Sequence, residues 1–338
     1  MFSIIQQSNM IRIFINLIAL VAMLFSIGLS VSYGAIDIKL MTVWQAVFDF
    51  QPDLSTHQVI QELRLPRAIA AALIGAFLAV AGSVMQGMTR NPLASPSILG
   101  VTDGAAFALV ISLAFFSNIS NLGMNLASWI GAGIAVVLIF MVGSFSKDGL
   151  TPVKLALAGV AIGMMLRSVS SMIALHFQLE KQMGFWLAGG LEGTNWSSVK
   201  MLFISGIIGF LPAIAISKSI TVLSLGEDIA TGLGQRNIVI KVIGILSVLI
   251  LTGAAVSVAG VVGFVGLIVP HITRFIMGTD YRWIIPSAAI FGALLLVLSD
   301  VVARVVNAPF ETPVGAITSL IGVPFFLYLA RGNGGGKS

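Results

Sequence analysis

Long apolar runs fill most of this 338-residue chain, and nearly all its charges sit in the gaps between them. Each bilayer crossing needs about 20 consecutive apolar residues. Backbone groups in hydrocarbon must bond internally, which leaves only helices and closed barrels. Ten candidate spans can be read, at about 13–31, 68–88, 99–116, 124–143, 155–177, 200–217, 239–258, 261–277, 284–302 and 314–331. A transmembrane barrel would instead alternate over segments of about ten residues, and this sequence does not. Only 9% of residues are charged and 57% are hydrophobic, against about 25% charged in a soluble domain. The expected fold is an all-α integral membrane protein of about ten transmembrane helices. It forms one polytopic domain over residues 1–338, with no room for a sizeable soluble domain.

Two stretches are ambiguous. The run 239–277 could be one long helix, but Gly253, Gly260, Gly263 and Gly266 interrupt it. Two helices would bring Lys241 and Arg274 to the same face, so two are expected. The first span could be a cleaved signal peptide. However, its apolar run is long and Ser32-Tyr33-Gly34-Ala35 is a poor cleavage site, so it is read as a retained helix.

With the N-terminus inside and ten spans threaded, 11 of the 18 basic residues fall on the inner side, 6 on the outer side, and Arg167 within a span. The positive-inside rule then places both termini in the cytoplasm. It also gives a membrane reason for the net charge of +5, without invoking nucleic acid. Zero cysteines exclude disulfides and thiolate chemistry.

Several segments depart from plain membrane packing. Arg64-Leu65-Pro66-Arg67 lies on the side disfavoured for basic residues, where Pro66 suits the first turn of a helix. These arginines either anchor at lipid phosphates or receive an acidic partner. The connection from Gln86 to Gly100, with Asn91-Pro92 and Ser95-Pro96, reads as a tight inner loop. In the longest inner connection, Val222, Leu225, Ile229 and Leu233 recur at helical spacing. Glu227 and Asp228 favour a helix start after Gly226, and Gly234 a stop. Two short helices kinked at Gly226 are therefore expected over about 219–237, outside the membrane. An acidic amphipathic pair suits a protein groove better than lipid. From Gly260 to Gly266, glycines three apart permit tight turns or close approach, and Pro270 implies a kink. Asp300 and Arg304 are four apart, as a same-helix pair requires.

Other chemistry finds no support in the sequence. The tail Arg331-Gly332-Asn333-Gly334-Gly335-Gly336-Lys337-Ser338 lacks the first glycine of a phosphate loop and has no following helix, so 332–338 is expected to be a flexible tail. His57, His176 and His271 are far apart and have no ligand partners at useful spacing. No metal site and no cofactor of this chain's own are expected.

In order along the chain, Arg64-Leu65-Pro66-Arg67, Asn91-Pro92-Leu93-Ala94, Leu225-Gly226-Glu227, Gly263-Phe264-Val265-Gly266-Leu267-Ile268-Val269-Pro270-His271, Asp300-Val301-Val302-Ala303-Arg304 and Gly322-Val323-Pro324-Phe325-Phe326 resemble the permease subunits of bacterial ABC importers for iron–siderophore chelates and vitamin B12. The resemblance implies a non-enzymatic transport subunit in the cell membrane. Its partners would be a second permease subunit, identical or homologous, two ATPase subunits inside that hold ATP and magnesium, and an extracytoplasmic binding protein. It implies that Arg64, Arg67 and Arg304 receive the binding protein. Leu223, Leu225, Gly226, Glu227, Ala230, Leu233 and Gly234 would couple to the ATPase, and Arg167, Gln86, Asn91 and Pro92 would border the path. The chain departs mildly from the family pattern at Ser299, Tyr281 and Phe310-Glu311-Thr312-Pro313. An iron(III)–siderophore cargo of hydroxamate type is expected. Vitamin B12 or haem remain alternatives, as does an ion-coupled secondary transporter from another class.

Overall fold

A computed structural model describes residues 9–34, 37–96, 100–116, 118–144, 152–308 and 310–333. The expectations for Ser97, Ile98, Leu99, Lys147, Pro309, Lys337 and residues 334–338 of the tail lie outside the described residues. In chain order the helices are α1 (Asn9–Ser32), α2 (Leu40–Phe48), α3 (Ser55–Val59), a π-helical turn (Ile60–Arg64), α4 (Leu65–Thr89), α5 (Val101–Phe115), α6 (Asn121–Ser144), α7 (Pro152–His176), α8 (Glu180–Ala188), α9 (Trp196–Ala215), α10 (Ser217–Leu225), α11 (Glu227–Gly232), α12 (Asn237–Ala259), α13 (Val265–Met277), α14 (Tyr281–Val305) and α15 (Val314–Asn333). Among the described residues, seven helices are long and apolar enough to span a bilayer, and α5, α13 and most of α15 form three shorter apolar helices. Together they match the ten expected spans.

Two expectations need correction and one needs extension. Pro66 lies in the first turn of α4 as expected, but α3, the π turn and α4 run on without a break from Ser55 to Thr89. Proline has no N–H to give the carbonyl four residues back. The π turn just before it carries the bond Leu65 N–H to the Ile60 carbonyl, which widens the helix where the proline enters. The span expected at 261 begins at Val265, because Gly260 and Phe264 both adopt positive φ and break the helix. α15 continues to Asn333, so the first two residues expected in the tail are helical. The short helices α2 and α3 were not anticipated.

α4 is the axis of the bundle. Nearly every residue from Ala68 to Met88 is buried, and the segment is dominated by Ala and Gly. Lipid offers no hydrophobic drive for helix association, so close backbone approach through small residues carries it. A Cβ on Gly75 would collide with the Gly292 carbonyl of α14, and one on Gly82 with the Gly266 carbonyl of α13. α4 also packs on α9 and α12.

α5 and α13, at 15 and 13 residues, are too short to cross alone and start partway through the bundle. Asp103 in the first turn of α5 lies against Gly163, since a Cβ there would come within 2.5 Å of Asp103 Oδ2. Gly163 is near the middle of the 25-residue α7, roughly 16 Å from its start. Gly266 at the start of α13 lies against Leu78 and Gly82 in the interior of α4, and beside Pro96. Pro96, shortly before α5, therefore lies against the first turn of α13 inside the bundle. Irregular backbone at that depth requires protein or water around it. Gly190 donates to the Ala259 carbonyl at 3.0 Å and Gly315 to the Gly189 carbonyl at 3.3 Å, joining the ends of α8 and α12 to the start of α15.

Gly75→Val should separate α4 from α14 and cost about 2 kcal/mol or more of stability, read as a lower unfolding temperature in detergent. Gly133→Val, where a Cβ meets nothing within 4 Å, should leave that temperature unchanged.

Candidate functional site

Three groups of functional side chains stand out. The first is an ion network at the end of the bundle where α4 begins. Arg67 donates through Nε and Nη2 to Asp300 Oδ1 at 3.1 and 2.9 Å, and through Nη1 to both Glu311 oxygens at 2.9 and 2.8 Å. Arg304 Nη2 lies 3.1 Å from Asp300 Oδ2, a charge contact without hydrogen-bond geometry. This is the same-helix pair expected from the spacing. The Asp300 side chain has no exposed surface. Arg304 Nε donates to the Asp300 carbonyl at 3.3 Å, and its remaining donors reach the end of α1: Nη1 bonds the Ser30 and Tyr33 carbonyls at 2.9 and 2.8 Å, and Nη2 bonds Ser30 Oγ at 2.7 Å. Arg64 Nη1 bonds the Val31 and Ser32 carbonyls at 2.9 and 3.0 Å. A helix C-terminus leaves its last carbonyls unpaired and partially negative, and here two guanidinium groups cap them. A cleft of about 620 Å³ opens beside the network, lined by Arg64, Arg67, Glu192, Arg304 and Glu311 among others. Arg67 and Arg304 expose little, at 14% and 6% of their side chains. Partial burial, then the neighbouring Glu311 carboxylate, pushes the Glu192 carboxyl above its ordinary range.

The second group is at the opposite end. α10 and α11 are separated by Gly226, whose φ of 144° and ψ of 147° suit glycine. The expected pair of helices kinked there is observed. Ile220, Leu223 and Ala230 face inward. Leu225, Ile229 and Leu233 are more than half exposed, and Gly234 has φ of 77°. Polar straps hold the pair to the bundle. Glu227 pairs with Lys241, Gln235 donates to the Ser219 carbonyl at 3.2 Å, and Thr221 Oγ1 accepts from the Tyr281 backbone N–H at 2.9 Å. Asp280 N-caps α14 and accepts from Arg282 and, at 3.4 Å, from Thr221. Hydrogen bonds from Arg282 hold the Asp280 carboxyl below its ordinary range.

The third group holds Arg167, near mid-depth, and Gln86, Asn91 and Pro92, at the end of α4 nearer α10. Arg167 donates through Nε and Nη2 to Asp103 Oδ1 at 3.1 and 2.8 Å, with 70% of its side chain exposed. Gln86, by contrast, is 2% exposed. Pro270 cannot donate to the Gly266 carbonyl, and Gln86 Nε2 approaches that oxygen and the one at Leu267, at 3.5 and 3.4 Å. Arg274 Nη2 donates to Gln86 Oε1 at 2.6 Å. Gln86 therefore fastens α4 to α13. Asn91 and Pro92 sit exposed in the turn after α4, where Asn91 Oδ1 accepts from Leu93 N–H at 2.9 Å. Among the described residues, no group of three or more His, Asp or Glu could hold a metal ion.

The sequence reading missed the carbonyl partners of Arg64 and Arg304, and it missed Asp103 as the partner of Arg167. Charge scarcity was the available signal for Asp103, a rare charge inside the span expected at 99–116.

The model of the FecCD transport family matches residues 20–332. The chain is 58% identical over 303 residues to the iron(3+)-hydroxamate import system permease protein FhuB of Bacillus subtilis, covering 90% of this chain and 79% of that protein. It is 44% identical over 314 residues to the iron-uptake system permease protein FeuB of the same organism, covering 93% and 94%. Among solved structures, it is similar to a metal-chelate type ABC transporter in an inward-facing conformation, with a TM-score of 0.82 at 28% identity, covering 94% of this chain and 98% of that one.

Asp300→Asn would leave two buried guanidinium groups short of their carboxylate, at a cost of about 3–5 kcal/mol, seen as a fall in unfolding temperature in detergent. The raised Glu192 carboxyl binds its proton more tightly when folded. Its contribution is thus fully present below the ordinary value of 4.5 and is lost as pH rises through the raised one. Glu192→Gln should remove that loss, so the variant's unfolding temperature should gain on the parent as pH rises above 4.5.

Proposed function

Because the chain belongs to the FecCD transport family, we propose that it is the membrane-spanning permease subunit of an ATP-driven importer whose cargo is an iron(III)–hydroxamate chelate. The near-full-length similarity to a hydroxamate permease carries this reading. The chain does no catalysis of its own. Two separate ATPase subunits hydrolyse ATP, a second permease subunit completes the path, and an extracytoplasmic binding protein delivers the chelate.

The end bearing α10 and α11 faces the cytoplasm in this reading, with both termini, as the excess of inner basic residues supports. Leu225, Ile229 and Leu233 form an apolar ridge that inserts into a groove of the ATPase. Leu223 and Ala230 root the ridge in the bundle, Gly226 sets its bend, Gly234 ends it, and Glu227 ties it to α12 through Lys241. Movement of the ridge reaches α14 through Thr221 and Asp280. It reaches α4 where Gly87 meets Ile220 and Tyr281.

The opposite end receives the binding protein. Arg64 and Arg67 border the cleft and offer positive charge to acidic side chains. Arg304 is buried, and its part is to fix α1 and Asp300 beneath that surface. Between the two ends, Arg167, Asn91 and Pro92 border the path, while Gln86 braces its wall.

Uptake of a ferric trihydroxamate by the assembled importer in proteoliposomes, dependent on ATP and the binding protein, is the direct test; no uptake would sink the reading. Gly226→Ala forces a side chain into a backbone conformation that disfavours it. It should abolish cargo-stimulated ATP hydrolysis while leaving binding-protein affinity intact. Arg64→Glu should weaken binding-protein affinity about tenfold, with unchanged affinity counting against the docking role.

A further inference from the structure

An ion pair in the middle of a membrane helix must have a reason, because charge at that depth is costly and faces protein or water. Arg167 is the sixteenth residue of the 25-residue α7, so it sits near mid-depth. It also lies on the exposed side. Ser168 and Ser171 are exposed beside it, so α7 is polar over this one turn, with Met164 and Leu175 exposed on either side of it. Asp103 projects from the first turn of α5, whose truncated start places it opposite. Both bonds of the pair converge on Asp103 Oδ1. Arg167 Nη1 and Asp103 Oδ2 have no protein partner among the described residues.

This arrangement has two properties at once. It presents unused guanidinium donors on an exposed face, and it carries no net charge. A bare arginine would offer the same donors but attract anions and repel cations along the whole approach. A ferric ion held by three hydroxamates, each of charge minus one, is neutral and covered with oxygen acceptors. It needs donors and gains nothing from net charge.

We propose that Arg167 and Asp103 form a charge-cancelling cargo subsite on α7, where Arg167 donates from Nη1 to chelate oxygens while Asp103 removes the charge that would favour anionic cargo. This subsite rests on the reading of the chain as a chelate permease. It makes the pair a specificity determinant that selects by net charge rather than by shape.

The test uses the importer assembled with all partner subunits in proteoliposomes with ATP. Uptake is measured for three ferric chelates built on one trihydroxamate scaffold: unmodified, bearing one ammonium, or bearing one carboxylate. The binding protein's own affinity for each is measured separately and divided out. Asp103→Asn should raise the ratio of carboxylate-bearing to unmodified uptake about fivefold, as one unscreened charge in water warrants. It should lower the ammonium ratio. Arg167→Gln should move both ratios the opposite way. The double variant should return them towards the parent, at a lower overall rate.

A purely structural clamp between α5 and α7 predicts something else: all three uptakes fall by one common factor. That result, or ratios moving the same way in both variants, overturns the proposal. Failure of either variant to assemble with its partners, while Arg167→Lys assembles with parental rates and ratios, also points to the clamp and overturns it. Uptake by the parent with unmoved ratios sinks this inference alone, whereas a parent that moves none of the three chelates sinks the cargo reading with it.

Discussion

A carboxylate with no exposed surface holds one end of this protein together. Asp300 stands between Arg67 of α4 and Arg304 of its own helix, and Arg304 in turn grips the last carbonyls of α1. Three helices distant in sequence are thereby fixed at one point. Taking such charges out of water costs several kcal/mol each, and only near-complete pairing offsets that cost. The cleft beside the network inherits its shape from this requirement. Arg64 and Arg67 can border it in defined positions because the buried part of the network leaves them little freedom.

The second constraint is the break in two helices at mid-depth. α5 and α13 begin inside the bundle, and Pro96, shortly before α5, lies beside Gly266 in the first turn of α13. Non-helical backbone survives at that depth only when other protein groups bond to it. Glycines at 189, 260 and 315 let three chain segments close to backbone contact and exchange those bonds. Gln86 serves the same end by reaching the carbonyl that Pro270 leaves unpaired. A polar side chain in a membrane helix is thus explained by a proline 184 positions away in the sequence.

The ten spans were legible because length and apolar run are local properties, as was the kink at Gly226, where periodicity and a glycine coincide. The division of 239–277 was legible from its glycines. The pairing of Asp300 with Arg304 followed from their spacing, but the contribution of Arg67 to it did not. Arg64 was recognised as lying on the disfavoured side and Arg304 as a partner of Asp300, yet both also bond backbone carbonyls, which every residue carries and no sequence marks. Pro66 marked the first turn of α4, but nothing in the sequence marked the π turn that joins it to α3. Asp103 and Arg167 are 64 positions apart, and only the truncated start of α5 brings them level. The ridge of Leu225, Ile229 and Leu233 was visible as a period, but that it faces away from the bundle is a matter of packing.

The balanced pair on α7 has an electrical consequence. A charge that moves through the membrane field does work of about 2.3 kcal/mol per 100 mV. Arg167 and Asp103 are bonded to each other across α5 and α7, and any shift that carries both together displaces no net charge. A rearrangement that carries α5 and α7 together therefore neither draws on the membrane potential at this pair nor is opposed by it.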